Sequence, residues 1–428
     1  MGGTSHSLRI PTFETLASTT VHVQVSSALA SWPRYMIGSA AAAAACLAAA
    51  LCLITPLTMP AQHYPGRFVQ PIAPERIARL PAFPLKIEGF ATVKERRLLA
   101  ATRLFEGRVV GSESVAITPD GKKLSMLDRW GRLHTASIAD DGSLELDAGA
   151  EHIGVPGRPL GFAYDSQSRL VICDSVAGLL RYTSSSDGGG RMEILSSGLE
   201  DGTALRYIDD VAIGSDGSIY FSSASDQPVA YTGGDAYGAS FYDTMSGAKL
   251  NLVSGTPTGR LAVWDAKTRR TRVLAENLFF ANGVALSPAE DFVLVCETFG
   301  ARVVRVWLNG TVDTFVDRLP GFPDGISRRE GGGYWVSIVT PPSVLTWVAP
   351  LRPLRWLLAH LLPWLEPLVK KWGCVAHISE SGAKQALLMD QRGERLQTVA
   401  AAHQHGRRLY LGNLMSDHVA YLDLEPEE

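Results

Sequence analysis

One template recurs along the chain and restricts its fold more than any other feature. Each copy has a leading residue, a second residue, an apolar triplet, a polar turn that ends near Gly, and a second apolar strand. Five segments match it closely, and a sixth matches it loosely: ESVAITPDGKKLSML, LGFAYDSQSRLVICD, DDVAIGSDGSIYFSS, NGVALSPAEDFVLVCE, DGISRREGGGYWVSI and TVAAAHQHGRRLYLG. Copies spaced by roughly 40 to 80 residues, with about four strands in each unit, are typical of propeller blades. The sequence therefore predicts an all-β fold, a six-bladed β-propeller over residues 89–424.

The leading position of the template predicts a metal site. In a propeller the first strand of each blade lines the central channel, so equivalent positions form a ring around one mouth of that channel. The leading residues are Glu113, Leu160, Asp209, Asn282, Asp324 and Thr398. Oxygen donors that converge on one point suit Ca²⁺, whereas carboxylates packed together without a cation would repel one another. Any one of these residues alone would suit a turn, but their shared register favours a Ca²⁺ site formed by Glu113, Asp209, Asn282 and Asp324.

Composition limits the kind of partner. The 428 residues carry a formal net charge of −3, and the sequence has no cluster of positive charge, so we expect no nucleic-acid partner. The five cysteines are odd in number and irregularly spaced, which fits neither a disulfide framework nor a zinc site. We expect buried or free thiols.

The N-terminal region contains a candidate membrane segment. From Met36 to Leu57 the sequence has no charged residue and is long enough to cross a bilayer as a helix. A cleaved signal peptide is the competing interpretation, but the 34 residues before position 35 are many for the region that precedes the apolar part of a signal peptide. We therefore predict a cytosolic segment at 1–34, a transmembrane signal anchor at 35–58 and a linker at 59–88.

A sequon, Asn-Gly-Thr beginning at Asn309, lies in a predicted hairpin of the propeller. It predicts N-glycosylation at Asn309 and thus a single-pass membrane protein of the secretory pathway. The propeller would be lumenal or extracellular, with the endoplasmic reticulum as the first choice of compartment. The charges that flank the apolar run do not settle its orientation.

Residues 341–373 interrupt the β pattern inside the fifth repeat. Leucines recur near helical spacing there with basic residues around them, while Pro353, Pro363 and Pro367 predict only short helical pieces. One interpretation is an insertion that packs its apolar face on the propeller. The other is a lid over the channel, with 345–370 resting on a membrane interface and selecting lipophilic substrates.

Four longer stretches carry a family resemblance. They are GRPLGFAYDSQSRLVICDSVAGLLRY, DGTALRYIDDVAIGSDGSIYFSSASD, PTGRLAVWDAKTRRTRVLAENLFFANGVALSPAEDFVLVCETFGARVVRVWLNG and LPGFPDGISRREGGGYWVSI. In this order they resemble the strictosidine synthase-like family, of the adipocyte plasma membrane-associated protein and hemomucin type, which is related to paraoxonases and gluconolactonases. The resemblance implies a six-bladed propeller, often behind a membrane anchor. In the hydrolase relatives it also implies one channel Ca²⁺, whose ligands would fall on Glu113, Asp209, Asn282 and Asp324.

Several positions depart from the pattern that the resemblance implies. Leu160 stands where paraoxonases have a channel histidine, and Gln397-Thr398-Val399 covers the position of the synthase glutamate, so neither proton carrier is present. Gly325 replaces an Asn of the family. Asp209-Asp210 replaces Asn-Asp. By strand alternation Asp210 points away from the channel, where it could hold a second structural ion or form a turn, and we favour the turn.

The resulting functional expectation is a Ca²⁺-dependent hydrolase of small lipophilic esters or lactones, similar to an arylesterase or lactonase. Glu113 or Asp209 would accept a proton from water, and His403 or His405 could reach in from the sixth repeat, although HQHG reads as an exposed turn. The first alternative is a non-catalytic ligand-binding or adhesion propeller with a structural Ca²⁺. The second is an amine–aldehyde condensation, which the missing glutamate disfavours.

Overall fold

The computed structural model describes residues 69–185, 189–343, 346, 348–365 and 371–426. The predicted cytosolic segment 1–34 and signal anchor 35–58 lie outside these residues. Within the described ranges, no helix combines the length and the apolar character needed to span a membrane.

The described chain begins with a segment that adds strands to later blades. It contains the short helix α1 (Pro74–Ile77), strand β1 (Thr92–Lys94), a 3-10 turn and strand β2 (Thr102–Leu104). β1 pairs in parallel with the outer edge of the fifth blade, and β2 pairs antiparallel with the last strand of the chain.

The first two blades are antiparallel sheets whose strands follow chain order from the channel outwards. Blade 1 contains β3 (Val115–Ile117), β4 (Lys123–Leu127), β5 (Arg132–Ile138), β6 (Leu144–Leu146) and β7 (Glu151–His152). Blade 2 contains β8 (Pro159–Tyr164), β9 (Leu170–Asp174), β10 (Gly178–Ser184) and β11 (Gly190–Ser196).

The third blade carries a long insertion between its second and third strands. Its elements are β12 (Ile208–Ile213), β13 (Ile219–Ser223), the hairpin β14 (Ala230–Thr232) and β15 (Phe241–Asp243), helix α2 (Thr244–Ser254), β16 (Gly259–Trp264) and β17 (Thr271–Leu278). Blade 4 contains β18 (Ala281–Leu286), β19 (Phe292–Glu297), β20 (Arg302–Trp307) and β21 (Val312–Val316).

The last two blades are completed by strands from the start of the domain. Blade 5 contains β22 (Phe322–Arg328), β23 (Tyr334–Thr340), helix α3 (Arg352–Leu365), β24 (Gly373–Ile378) and β25 (Lys384–Asp390), with β1 at its edge. Blade 6 contains β26 (Val399–His405), β27 (Arg408–Asn413) and β28 (Val419–Asp423), with β2 as its outer strand. The prediction of a six-bladed all-β propeller is confirmed.

Apolar clusters between neighbouring blades form the core. Blades 4 and 5, for example, share a cluster in which Leu294 and Cys296 pack with Val336 and Trp372. Equivalent clusters join each of the other five pairs around the ring. The described cysteines, Cys173, Cys296 and Cys374, are free thiols buried in this core. Burial raises their pKa well above the ordinary value.

The two helices differ from the sequence expectation in different ways. Helix α2 is absent from the predicted pattern, although Asp243 caps its N-terminus and Gly255 ends it in a left-handed conformation. Helix α3 is longer than the short pieces expected. Pro353 lies in its first turn, where no backbone N–H is needed, and Pro363 falls in its last turn. The insertion 341–373 as a whole extends into residues that are not described and stays a prediction.

A buried carboxylate joins the N-terminal segment to blade 4. The Glu297 side chain is 1% exposed and pairs with Arg302 of its own blade and with Arg76 of α1. It also accepts a hydrogen bond of 2.8 Å from the backbone N–H of Phe279. Three donors thus converge on one carboxylate that has almost no access to water.

We expect Glu297→Ala to lower the free energy of unfolding by roughly 3 kcal/mol, because both guanidinium groups and a backbone N–H lose their partner at once. The matched control is Glu200→Ala, since the ion pair of Glu200 with Arg270 is exposed on both sides (58% and 71%). That change should cost less than about 1 kcal/mol. Urea unfolding of the two variants measures both values, and equal losses would contradict the role given to Glu297.

Candidate metal centre at the channel mouth

Four of the six leading residues meet at one end of the channel. Carboxylate oxygens of Glu113, Asp209 and Asp324 lie within 4.8 Å of one another, and all three residues are buried. Asn282 completes the group, because its Nδ2 donates a hydrogen bond to Oδ1 of Asp324. The structure thus places the four predicted ligands in contact range, while their role as ligands remains a proposal.

Irregular strand pairing allows these side chains to face the axis. In blades 3, 4 and 5 the ladder between the first and second strands skips two residues. The skipped pairs are Asp209-Asp210, Asn282-Gly283 and Asp324-Gly325. The first member of each pair belongs to the cluster, and the second meets the neighbouring blade. Such bulges place two residues opposite one and redirect a side chain.

Close packing between blades explains why Gly follows Asn282. A Cβ atom on Gly283 would lie 2.4 Å from the backbone oxygen of Asp324, and one on Gly325 would lie 2.7 Å from that of Ala400. Only glycine leaves room for this approach. The Asn-Gly pair therefore belongs to a bulge in a channel strand and not to a hairpin turn.

Asp210 is not the turn residue that the sequence suggested. It lies inside β12, and its Oδ2 accepts a 2.9 Å hydrogen bond from the backbone N–H of Val284 in blade 4. Its Oδ1 accepts a second bond of 2.8 Å from the N–H of Val211. Burial raises the pKa of Asp210 to about 6. This carboxyl group therefore joins two blades at a place where their strand edges are irregular.

Buried oxygen atoms without partners define the electrostatics of the cluster. Glu113 Oε2, Asp209 Oδ1 and Asp324 Oδ2 are all buried without a hydrogen-bond partner. Burial, followed by mutual repulsion, raises the pKa of Glu113 and Asp209 well above the ordinary range, and burial raises that of Asp324 to about 8. Unpartnered buried polar atoms are costly. Converging oxygen donors of this kind fit a hard divalent cation such as Ca²⁺.

The cluster forms the base of a cavity that opens to solvent. Its walls are mainly aromatic and aliphatic. Tyr207, Phe280, Phe299 and Phe322 form a continuous series along the wall, with ring centroids 5.2, 5.2 and 5.6 Å apart. Aromatic rings packed at such distances stabilise one another.

Helix α2 provides another side of the cavity through Met245, Ala248, Lys249 and Leu252. Two wall hydroxyls have backbone partners, since Tyr207 donates to Thr244 and Thr298 donates to Pro323, each over 2.8 Å. Sequence reasoning found the base of the cavity but not these walls. The capping residues at the two ends of α2 were the available signal.

The structure does not bring the two candidate histidines to this cavity. His403 lies in β26 and lines a smaller space on the channel side of the cluster, with its Nε2 3.4 Å from the Ser114 hydroxyl. Burial lowers the pKa of His403 to about 4, which keeps the ring neutral. His405 is exposed at the end of the same strand. HQHG therefore continues a strand as far as His405. His403 shares its smaller space with Glu113, Asp209 and Asn282, and the catalytic role of the two histidines stays a prediction.

Asn309 is exposed in the turn between β20 and β21, where its Oδ1 accepts a 2.9 Å bond from the N–H of Thr311. This turn lies at the end of blade 4 opposite the cluster. Glycosylation at Asn309 stays a prediction.

Comparison with known proteins identifies the family. A family profile described as strictosidine synthase matches residues 209–311. The adipocyte plasma membrane-associated protein of Salmo salar is 33% identical over 349 residues, which cover 77% of this chain and 79% of that protein. The human protein of the same name is 31% identical over 353 residues, with the same coverage of both chains. Strictosidine synthase-like 4 of Arabidopsis thaliana is 27% identical and covers 78% of this chain and 84% of its own.

The chain belongs to the strictosidine synthase-like family.

Solved structures support the fold at lower identity. A gluconolactonase from Xanthomonas campestris has a TM-score of 0.50 and 20% identity, covering 83% of this chain and 99% of its own. Regucalcin from Agrobacterium tumefaciens has a TM-score of 0.51 and 14% identity, covering 78% and 96%. These likenesses show the shared propeller.

Two positions where the sequence departs from the family pattern are apolar or neutral in the structure. Leu160 is 1% exposed and belongs to the apolar cluster that contains Tyr207 and Leu414. The Thr398 hydroxyl donates a 3.1 Å bond to Asn413 Oδ1. Neither position supplies an acid or a base.

For the chain without a cation, we expect thermal stability to fall as the pH rises from about 4 to about 8. In the unfolded chain Asp324 ionises near its ordinary pKa of 3.8, whereas in the folded chain it ionises near 8. The unfolded state therefore loses its proton first across this window and is favoured as the pH rises. Glu113 and Asp209 shift in the same direction.

Thermal midpoints measured in EDTA across this pH range check the effect. Asp324→Asn should flatten the profile, because it removes one of the shifted carboxyl groups. Asp216→Asn, in the turn at the far end of the same blade as Asp209, should leave it unchanged. A flat profile for the unaltered chain would contradict the electrostatics described for the cluster.

Proposed function

We propose that the chain is a Ca²⁺-dependent hydrolase of lipophilic esters or lactones. One observation carries this proposal: three buried carboxylates with unpartnered oxygens form the base of a cavity whose walls are mainly apolar. The combination suits a substrate with an apolar body and one polar reacting group. The descriptions of the two solved propellers, one a gluconolactonase and the other a calcium-binding protein, are compatible with this choice.

The cation would be held by Glu113, Asp209, Asn282 and Asp324. Asn282 presents its nitrogen to Asp324 in the structure, and a half-turn of the same amide would present its oxygen. When bound, Ca²⁺ would polarise the carbonyl group of the substrate and stabilise the negative charge that develops on its oxygen.

The side chains of the site would perform the remaining steps. The aromatic wall binds the apolar part of the substrate and excludes water from the base of the cavity. Glu113 or Asp209 accepts a proton from the attacking water as its oxygen bonds to the carbonyl carbon. The same carboxyl group returns the proton to the leaving oxygen as the C–O bond breaks. In the site without a cation, burial raises the pKa of both carboxyl groups well above the ordinary range.

We expect Asp324→Ala and Asn282→Ala each to lower aryl-ester hydrolysis by about 10²-fold or more, since each removes a group that positions the cation. Calorimetric titration with Ca²⁺ should show a matching loss of affinity. Asp216→Ala is the matched control, because Asp216 lies in a turn away from the cluster and accepts hydrogen bonds from the N–H and the hydroxyl of Ser218.

Removal of the metal distinguishes Ca²⁺-dependent hydrolysis from hydrolysis that needs no metal. EDTA should abolish ester hydrolysis while circular dichroism shows that the β structure persists. Hydrolysis at the full rate in EDTA would refute the mechanism.

The second candidate function is a non-catalytic ligand-binding propeller in which Ca²⁺ only holds the blades together. Leu160, which is apolar, and Thr398, which is neutral, favour it, because neither residue supplies an acid or a base. Saturable binding of a lipophilic ester without turnover would support this candidate. Amine–aldehyde condensation is the third and is disfavoured because Thr398 supplies no acid. Incubation with tryptamine and an aldehyde tests it.

The relatives named as plasma membrane-associated also support membrane association of this chain. The signal anchor at 35–58 and the lumenal or extracellular position of the propeller are part of this proposal. The endoplasmic reticulum stays a prediction from the sequence.

A further inference from the structure

Exposed apolar side chains gather on the face of the propeller that carries the cavity mouth. Six of the large ones lie in connections between the second and third strands of blades 3, 5 and 6: Tyr231, Tyr237, Leu351, Leu354, Leu357 and Met415. These connections lie at the same end of the blades as the cluster, because each first strand begins at the cluster and each second strand returns to it. We call these six residues the mouth patch.

The cavity opens within this face. Its lining includes residues of α2, Phe299 and Leu414, which belong to the same type of connection in blades 3, 4 and 6. Leu414 and Met415 are neighbours in sequence, with one in the cavity wall and the other 46% exposed outside it. The mouth patch therefore lies on the same face as the cavity mouth, and Met415 lies directly beside the cavity wall.

Helix α3 and the residue before it supply the aliphatic part of the patch. Leu351, Leu354 and Leu357 are 44%, 38% and 46% exposed and recur every three residues, so they lie on one side. Arg355 and Ala359 lie on the other side and are buried. Arg355 donates to the backbone oxygen of Val253 at the end of α2 over 2.9 Å. The inner side is thus fixed to the propeller, and the leucines remain directed outwards.

The start of the described chain is bound at the same place. Arg352 donates to the backbone oxygen of Val69 over 2.7 Å, Arg355 donates to that of Gln70 over 2.5 Å, and the N–H of Gln70 donates to Ser254 over 2.7 Å. Only residues 59–68 separate Val69 from the predicted anchor at 35–58. Ten residues span at most about 36 Å when fully extended. An anchor in the bilayer would therefore keep this face close to the membrane.

We propose that the mouth patch rests on a lipid bilayer, so that the cavity opens towards the membrane. A mixture of leucine and tyrosine suits the interfacial region, where aliphatic groups enter the acyl boundary and phenol hydroxyls stay among the headgroups. The short connection to the predicted anchor selects lipid over other occupants. The predicted glycosylation site, Asn309, lies at the opposite end of the propeller and would not obstruct this contact. The proposal does not depend on hydrolysis.

The test uses the full chain with Cys46→Ser and Cys52→Ser, reconstituted in phosphatidylcholine vesicles that contain a nitroxide-labelled lipid. The described native cysteines are buried, so a thiol-reactive fluorophore reports on one introduced cysteine. Leu354→Cys and Met415→Cys place it in the mouth patch. Val312→Cys, 49% exposed at the opposite end of blade 4, is the matched control. We expect the labels at 354 and 415 to lose emission when the nitroxide lipid is present, and the label at 312 to keep it.

A water-soluble quencher distinguishes contact with lipid from a solvated face and from cover by a protein. Labels at 354 and 415 that respond to the soluble quencher as strongly as the label at 312 would show a solvated face and overturn the proposal. Protection from both quenchers would show cover by a second copy or another protein and would also overturn it. Replacing Leu351, Leu354 and Leu357 with Gln in the Met415→Cys chain should reduce lipid quenching at 415. Unchanged quenching would contradict docking through α3.

Discussion

Repulsion among three carboxylates from three blades is the constraint on which the rest of this structure depends. Glu113, Asp209 and Asp324 share one buried space, and each keeps an oxygen without a partner. The blades cannot relieve this repulsion by moving apart, because an apolar cluster joins each pair of neighbours around the ring. Packing energy thus holds together carboxyl groups that, without a cation, keep their protons to a higher pH than usual. A divalent cation would both offset the repulsion among the carboxylates and give their buried oxygens a partner.

The sequence predicted what depends on local pattern. The template located the first two strands of every blade, and its leading residues are those that gather at the mouth, since the strands of a propeller are equivalent by position. Asp210 was misjudged because its partner, Val284, lies 74 residues away in another blade. Strand alternation describes only where a side chain points and not what a neighbouring blade offers it. Glycine is needed at 283 and 325 for a similar reason, because the backbone atoms that a Cβ would meet lie in the neighbouring blade.

Helix α2 escaped prediction for a different physical reason. Amphipathic periodicity reveals helices that have one buried face. In α2 consecutive residues from Leu250 to Ser254 are all buried, so no polar face alternates with an apolar one. The cavity wall that it forms was therefore invisible to a search for periodicity. The family resemblance also did not supply it, since the matching motifs lie in the strands.

Closure of the ring also determines the order in which this protein can be completed. Thr102 of β2 pairs with Tyr421 of β28, so the first strand of blade 6 to be synthesised waits for the last. Blades fold as units while the chain grows, but contacts of this sequence separation form late. Until the ribosome has delivered the final strand, blade 6 lacks an edge and its junction with blade 1 stays open. A chain that ended before β28 would keep every acidic residue of the cluster and still lack the closed frame that brings them together.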